Sequence, residues 1–336
     1  MTKQNQSKID VFTHVVPEKY RDALLKELPA NSSWRNTLKT NLQLSDMNER
    51  FKVMDKFEDM KQVLTISAPP IEMVVGPGKA VELAKMANDG MAELVARYPD
   101  RFVCAAACLP MNDIDAALKE VDRAIKDLGF RGVQVLTPVV DKPMDALEFM
   151  PLYEKMSGYD LPLWIHPYRE ETYADYKSES RSKYRIFHRF GWPYETTAAM
   201  ARLVYSGVLE KFPNLKFITH HCGAMLPFLE SRASIMPDAA ELQSGEIYAR
   251  ITKPPLDYFK KFYADTANIR PSGLMCGYQF FGADHIIFGT DMPYGAQSGE
   301  FFLRQAMDAV KQMDISEADR DKIFADSARK ILKLLK

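Results

Sequence analysis

The chain has 336 residues, 46% of them hydrophobic, which is enough to bury a large core as one big α/β domain or two ordinary ones. Its 44 basic and 45 acidic residues leave a formal net charge of −1, which argues against a nucleic-acid partner or a membrane-surface role, since both draw on a strong basic patch. The opening MTKQNQSKID lacks the apolar segment of a signal peptide, and no run approaches the roughly 18 apolar residues of a bilayer span, so a soluble, cytoplasmic protein is expected.

Taken in chain order, short β-rich apolar runs occur at KIDVFTH (8–14), QVLTISA (62–68), FVCAAACL (102–109), GVQVLT (132–137), PLWIHP (162–167), KFITHH (216–221), FYADTA (262–267) and IIFGTD (286–291). Between them lie segments whose apolar residues recur every three to four positions, among them AVELAKMANDGMAELVARY, DAALKEVDRAIKDLG and ETTAAMARLVYSGVLEKF, which read as helices. In DISEAD, Ser316 and Asp319 form a cap pattern leading into a last helix, KIFADSARKILKLL. Eight strand–helix units imply a parallel sheet covered on both faces and fit a single (β/α)8 TIM barrel over 1–336 better than two domains. The connections 15–47, 168–194 and 222–258 are longer than barrel closure requires and follow C-terminal strand ends, where barrel active sites are built, so they are expected to form lids and pocket walls. The four cysteines, Cys104, Cys108, Cys222 and Cys276, contain no CxxC pair and read as reduced, mostly buried thiols.

Of the six histidines, four fall at strand ends: His14 in the first run, His166 in the fifth, and His220 with His221 in the sixth; Asp291 ends the eighth. Singly, each has an ordinary structural explanation, a hydrogen-bonded imidazole or a turn-forming Asp. Together, on one face of a barrel, they form a set of imidazoles and a carboxylate suited to Zn²⁺ or another divalent ion.

The motifs LWIHP, FPNLKFITHHCGAMLPF and GADHIIFGTDMPYG, with GWPYETTAAMARLVYSGVLEKFPNL and LGFRGVQVLTPV in support, resemble the amidohydrolase-related decarboxylases, the group of aminocarboxymuconate semialdehyde and γ-resorcylate decarboxylases. The likeness covers nearly the whole chain. It implies a distorted TIM barrel with loops and helices inserted at its C-terminal face, and one divalent metal, zinc or manganese, held by strand-one histidines, His166 and Asp291. It also implies a catalytic histidine on strand six, a position that falls on His221, and a homodimer or larger oligomer. One position departs from the pattern: the H-x-H or E-x-H of strand one reads F-x-H, so Phe12 stands where a ligand is expected and only His14, His166 and Asp291 remain.

Such a site serves more than one reaction. In a decarboxylation of a small aromatic or unsaturated carboxylic acid, Asp291 or His221 would place a proton on the carbon that CO₂ leaves. In a hydrolysis of a lactone, amide or ester, the metal would lower the pKa of its water, with Asp291 taking the proton and His221 polarising the carbonyl. The resemblance favours the carbon–carbon lyase, with the hydrolase as alternative and an inactive binding protein, hinted at by Phe12 alone, as a third. Further candidates for the substrate pocket are Arg232 for a carboxylate, Trp192, Tyr194, His188 and Phe190 for an aromatic ring, His220, Phe12 itself, and Asp265 as an orienting group. His285 precedes its strand on the opposite rim and is expected to be exposed.

Overall fold

Each of the eight apolar runs forms strand in the computed structural model, which describes residues 7–267 and 269–334; the first residues of MTKQNQSKID lie outside them. The strands are β1 (Lys8–Val15), β2 (Met60–Ile66), β3 (Phe102–Ala105), β4 (Ala107–Cys108), β5 (Val133–Thr137), β6 (Leu163–Pro167), β7 (Phe217–Thr219), β8 (Tyr263–Asp265) and β9 (Ile286–Ile287). The run at 102–109 supplies two of them. It changes partner at Ala106, so that β3 pairs with β2 while β4 pairs with β5, and the barrel wall divides into sheets β1-β2-β3 and β4-β5-β6-β7-β8-β9. Every pairing within the sheets is parallel.

Backbone hydrogen bonds cross both seams. Val11 N–H donates to Phe288 O at 2.9 Å, His14 N–H to Met292 O at 2.7 Å, and Thr13 bridges Met292, which joins β1 to the segment after β9. At the other seam the same chain carries β3 into β4, and Ala106 N–H donates to Leu64 O at 2.9 Å. The result is the distorted barrel expected from the sequence, divided where Ala106 turns.

Side chains fill the interior, as in any small barrel. The Trp164 indole is fully buried and donates across the barrel to Val11 O at 2.9 Å. Helices cover the outside because their apolar residues fall on one stripe: Ala80, Leu83, Ala84, Ala87 and Met91, with Asn88 among them, are the buried positions of the helix Pro77–Arg97. Burying each large side chain of such a stripe contributes roughly 1.5–3 kcal/mol, so a charge at Leu83 would break the contact. Asp113 caps the helix Ile114–Lys126 by accepting from Ala116 N–H, and Ser316 accepts from Asp319 N–H as its motif suggests.

The periodic segment ETTAAMARLVYSGVLEKF is two helices, Trp192–Tyr205 and Val208–Lys211, rather than one. Gly207 sits at φ +80 between them, and a Cβ there would collide with the Ala249 carbonyl, so the backbone needs glycine to turn. Cys104, Cys108 and Cys222 are buried and Cys276 is partly buried, all four as free thiols. Among the described residues, no helix is long and apolar enough to cross a membrane.

Candidate metal centre

His14 lies one residue before the end of β1, His166 one before the end of β6, His220 directly after β7, and Asp291 in the segment following β9. Parallel strands put all four at the C-terminal mouth, the side on which barrels assemble reacting groups. One ring nitrogen from each of His14, His166 and His220 lies within 4.8 Å of the others, and His220, His221 and Asp291 form a second group within the same limit.

In each of the three buried imidazoles the Nδ1 atom is already engaged. His14 Nδ1 meets Ile66 O at 3.1 Å, His166 Nδ1 meets Pro167 O at 2.7 Å, and His220 Nδ1 makes a short contact with the Asp265 carboxylate. An oxygen acceptor at Nδ1 orients the ring and leaves Nε2 as the atom turned to the site, the pattern of a metal-ligating histidine. Nε2 of His14 and of His220 are buried and lack a hydrogen bond. The Asp291 Oδ1 atom approaches them at 3.2 and 3.5 Å without meeting hydrogen-bond geometry, so its contact with them is electrostatic. These residues therefore fit a divalent ion: three imidazoles lie together, two of them with a buried Nε2 that makes no hydrogen bond, and a carboxylate lies beside those two.

The electrostatics divide the groups. Burial, reinforced by His14 and His220, holds the His166 imidazole well below its usual pKa, and burial with the neighbouring His220 does the same to His221, so both are neutral near pH 7. Burial also disfavours a charged His220, but the Asp265 and Asp291 carboxylates together outweigh it and push the imidazole up to about 10. For Asp291, burial alone would raise the pKa; the adjacent His14 and His220 outweigh it and keep the carboxyl well below the usual range.

The backbone at the mouth is strained. His221, Cys222 and Ala224 all have φ between +56 and +58, and Asp291 has φ +67, in the left-handed region that non-glycine residues seldom adopt. The turn after β7 thereby reverses at once and lays the His221 ring against His220, with centroids 3.9 Å apart. Phe12 is fully buried in the midst of the cluster: its ring stacks on His220 at 4.0 Å and lies 5.7 Å from His14 and 5.8 Å from His166.

The structure thus brings His14, His166, His220, His221, Asp291 and Phe12 together. Trp192 joins their edge, its ring 5.5 Å from His166 and 4.4 Å from His188. Tyr194, 54% exposed, makes none of the cluster's ring contacts, nor does Phe190. Arg232 is exposed on the short helix Glu230–Ala233 and makes no ion pair among the described residues. His285 is not exposed as expected but partly buried, its ring stacked on Tyr263 with centroids 4.4 Å apart.

Three participants escaped the sequence reading. Tyr294 lies 5.4 Å from the His14 ring and its hydroxyl contacts Ser67; only its place two residues beyond Met292 in DMPY hinted at it. Arg50 is fully buried and donates to His14 O at 2.7 Å and Gln62 Oε1 at 2.9 Å, tying down β1 behind the site. Asp10 accepts from Thr290 N–H at 3.1 Å and so holds the segment bearing Asp291. Nothing in their local sequence announces Arg50 or Asp10 as parts of a mouth.

Comparison with known proteins gives the family of the chain and its relatives. The amidohydrolase family model matches residues 9–334. A gamma-resorcylate decarboxylase of Polaromonas sp. strain JS666 is 32% identical over 299 residues, 87% of this chain and 88% of that protein. A crystal structure of 2,6-dihydroxybenzoate decarboxylase with bound 2,6-dihydroxybenzoate has a TM-score of 0.77 at 28% identity, covering 98% of this chain and 99% of that one. A dihydroxybenzoic acid decarboxylase from Polaromonas sp. JS666, with bound manganese and the inhibitor 2-nitroresorcinol, has a TM-score of 0.76 at 28% identity, covering 98% and 97%.

Proposed function

We propose a carboxy-lyase function from one premise: the chain belongs to the amidohydrolase family. Within it, relatives similar along nearly the full length are decarboxylases of aromatic acids. The reading is a metal-dependent decarboxylase acting on a small aromatic carboxylic acid of the hydroxybenzoate type. The observation that carries it is the buried group of His14, His166 and His220 with an ionised Asp291 beside them. His14, His166 and Asp291 hold one divalent ion, zinc on the nitrogen-rich donor set, or manganese as in the Polaromonas structure. We further read the chain as a single-domain cytoplasmic enzyme working as a homodimer or larger oligomer.

When bound, the ion supplies Lewis-acid stabilisation to the substrate carboxylate and an adjacent oxygen. Asp291 then carries the proton. It takes one up from solvent or an acidic substrate hydroxyl and gives it to the ring carbon bearing the carboxylate. As the new C–H bond forms, the bond to the carboxylate breaks, its electron pair returns to the ring, and CO₂ leaves. A carboxylate is exchanged for neutral CO₂, so one solvent proton is consumed per turnover and Asp291 ends ionised, as it began. His221, neutral in its buried setting, is placed to hydrogen-bond a substrate oxygen, and Trp192 with His188 walls the ring.

The test supplies metal-loaded protein with 2,6-dihydroxybenzoate and related hydroxybenzoates, and separately with aryl esters and lactones, scoring CO₂ and acid formation apart. CO₂ release from a benzoate is expected. Acid release from an ester with no CO₂ from any benzoate would overturn the lyase in favour of a hydrolase, and silence in both assays would favour a binding protein.

A further inference from the structure

Resting on the metal-dependent reading above, we infer that His220, oriented by Asp265, is a ligand of the ion and replaces the one lost at Phe12. Residues 12 and 14 share one face of β1, so a donor at position 12 would address the same ion as His14. Phenylalanine offers none. The His220 ring stacks directly on Phe12 at 4.0 Å, beside the space that the missing donor would occupy.

Its orientation is built rather than incidental. Asp265 holds Nδ1 through Oδ2, while its Oδ1 accepts from Cys222 N–H at 3.3 Å and from Ala267 N–H at 3.1 Å, so the carboxylate is fixed from several sides. Gly289 lets this packing close: a Cβ there would meet the Asp265 Cβ at 2.9 Å and the Phe12 Cβ at 3.2 Å. Beyond the Asp265 bond, the buried Nε2 makes no hydrogen bond and meets only the Asp291 carboxylate, itself one of the ligands, at 3.5 Å, an arrangement that a purely structural carboxylate–histidine pair does not require. One ring nitrogen of His220 lies within 4.8 Å of one each from His14 and His166. The ligand set becomes three imidazoles and Asp291, with one imidazole moved from the first barrel strand to the end of β7.

X-ray absorption on the zinc-loaded wild-type protein counts imidazoles directly and needs no variant. Three are expected; two, from His14 and His166 alone, would overturn the inference. Chelator competition with Mn²⁺ and the visible spectrum of the Co²⁺ form then test the residues. Asp265→Asn should weaken metal binding roughly 10–100-fold, the usual cost of losing a ligand's orienting partner, and His220→Ala by at least as much, with an altered Co²⁺ spectrum. Phe12→His in the His220→Ala background should restore affinity, a rescue that a purely structural role for His220 does not predict. Unchanged affinity and spectrum in folded His220→Ala would also overturn it. A wild-type chain that binds no metal at all would instead sink the parent reading.

Discussion

Asp291→Asn is the perturbation from which most can be calculated. The amide keeps the size of the side chain, and asparagine is among the few residues that accept a left-handed backbone, so the φ of +67 costs it little. The Asp291 N–H bond to Phe12 O at 3.0 Å is also retained. Lost are the negative charge facing His14 and His220 and the ability to take up and deliver a proton. General acid–base catalysis contributes about 10²–10⁴ in rate, so kcat should fall at least about a hundredfold, equivalent to roughly 2.7 kcal/mol in the barrier. The assay is CO₂ release from the best hydroxybenzoate, with metal content matched between variant and wild type and folding checked by circular dichroism. A rate within a few-fold of wild type at equal metal occupancy would remove Asp291 from proton transfer and with it the mechanism.

Phe12→His should rebuild an H-x-H pair on β1 and tighten Mn²⁺ binding in chelator competition; no change would mean that this side chain does not address the ion. Arg50→Met should lower the urea midpoint sharply, since it strands the His14, Gln43 and Gln62 acceptors in the interior, a loss of about 3–5 kcal/mol; a shift below about 1 kcal/mol would refute that accounting. Glu72 tests linkage away from the site. Burial pushes its pKa from 4.5 to about 7, so the folded state binds the proton more tightly than the unfolded chain. Its contribution is fully present below the unfolded pKa and is lost as pH rises through 7; wild type should lose about 2–3 kcal/mol between pH 5 and 8.5 from this group, and Glu72→Gln should flatten that part of the urea-midpoint profile.

Much of this architecture was legible because strand and helix leave different periods in sequence, and strand ends carried chemistry. The eight apolar runs and the positions of His14, His166 and Asp291 needed nothing beyond chain order. The division at Ala106 was not legible, because a change of strand partner leaves a run of small apolar residues unaltered. Neither was the Gly207 break, which follows from the approach of Ala249, a tertiary contact. Asp265 was equally readable as a turn residue. Its bond to His220 joins positions 45 apart in sequence, a distance no local pattern spans. Which of the adjacent His220 and His221 faces the other imidazoles depended on the left-handed turn after β7, and left-handed non-glycine residues are what a sequence signals least.

Metal-dependent decarboxylation is read out by following CO₂ release from 2,6-dihydroxybenzoate or its nearest active analogue through chelation and reconstitution. About one divalent ion per chain is expected, with activity that disappears as the ion is stripped and recovers on adding Mn²⁺ or Zn²⁺ in proportion to the metal regained. Undiminished CO₂ release from protein stripped of metal would contradict it.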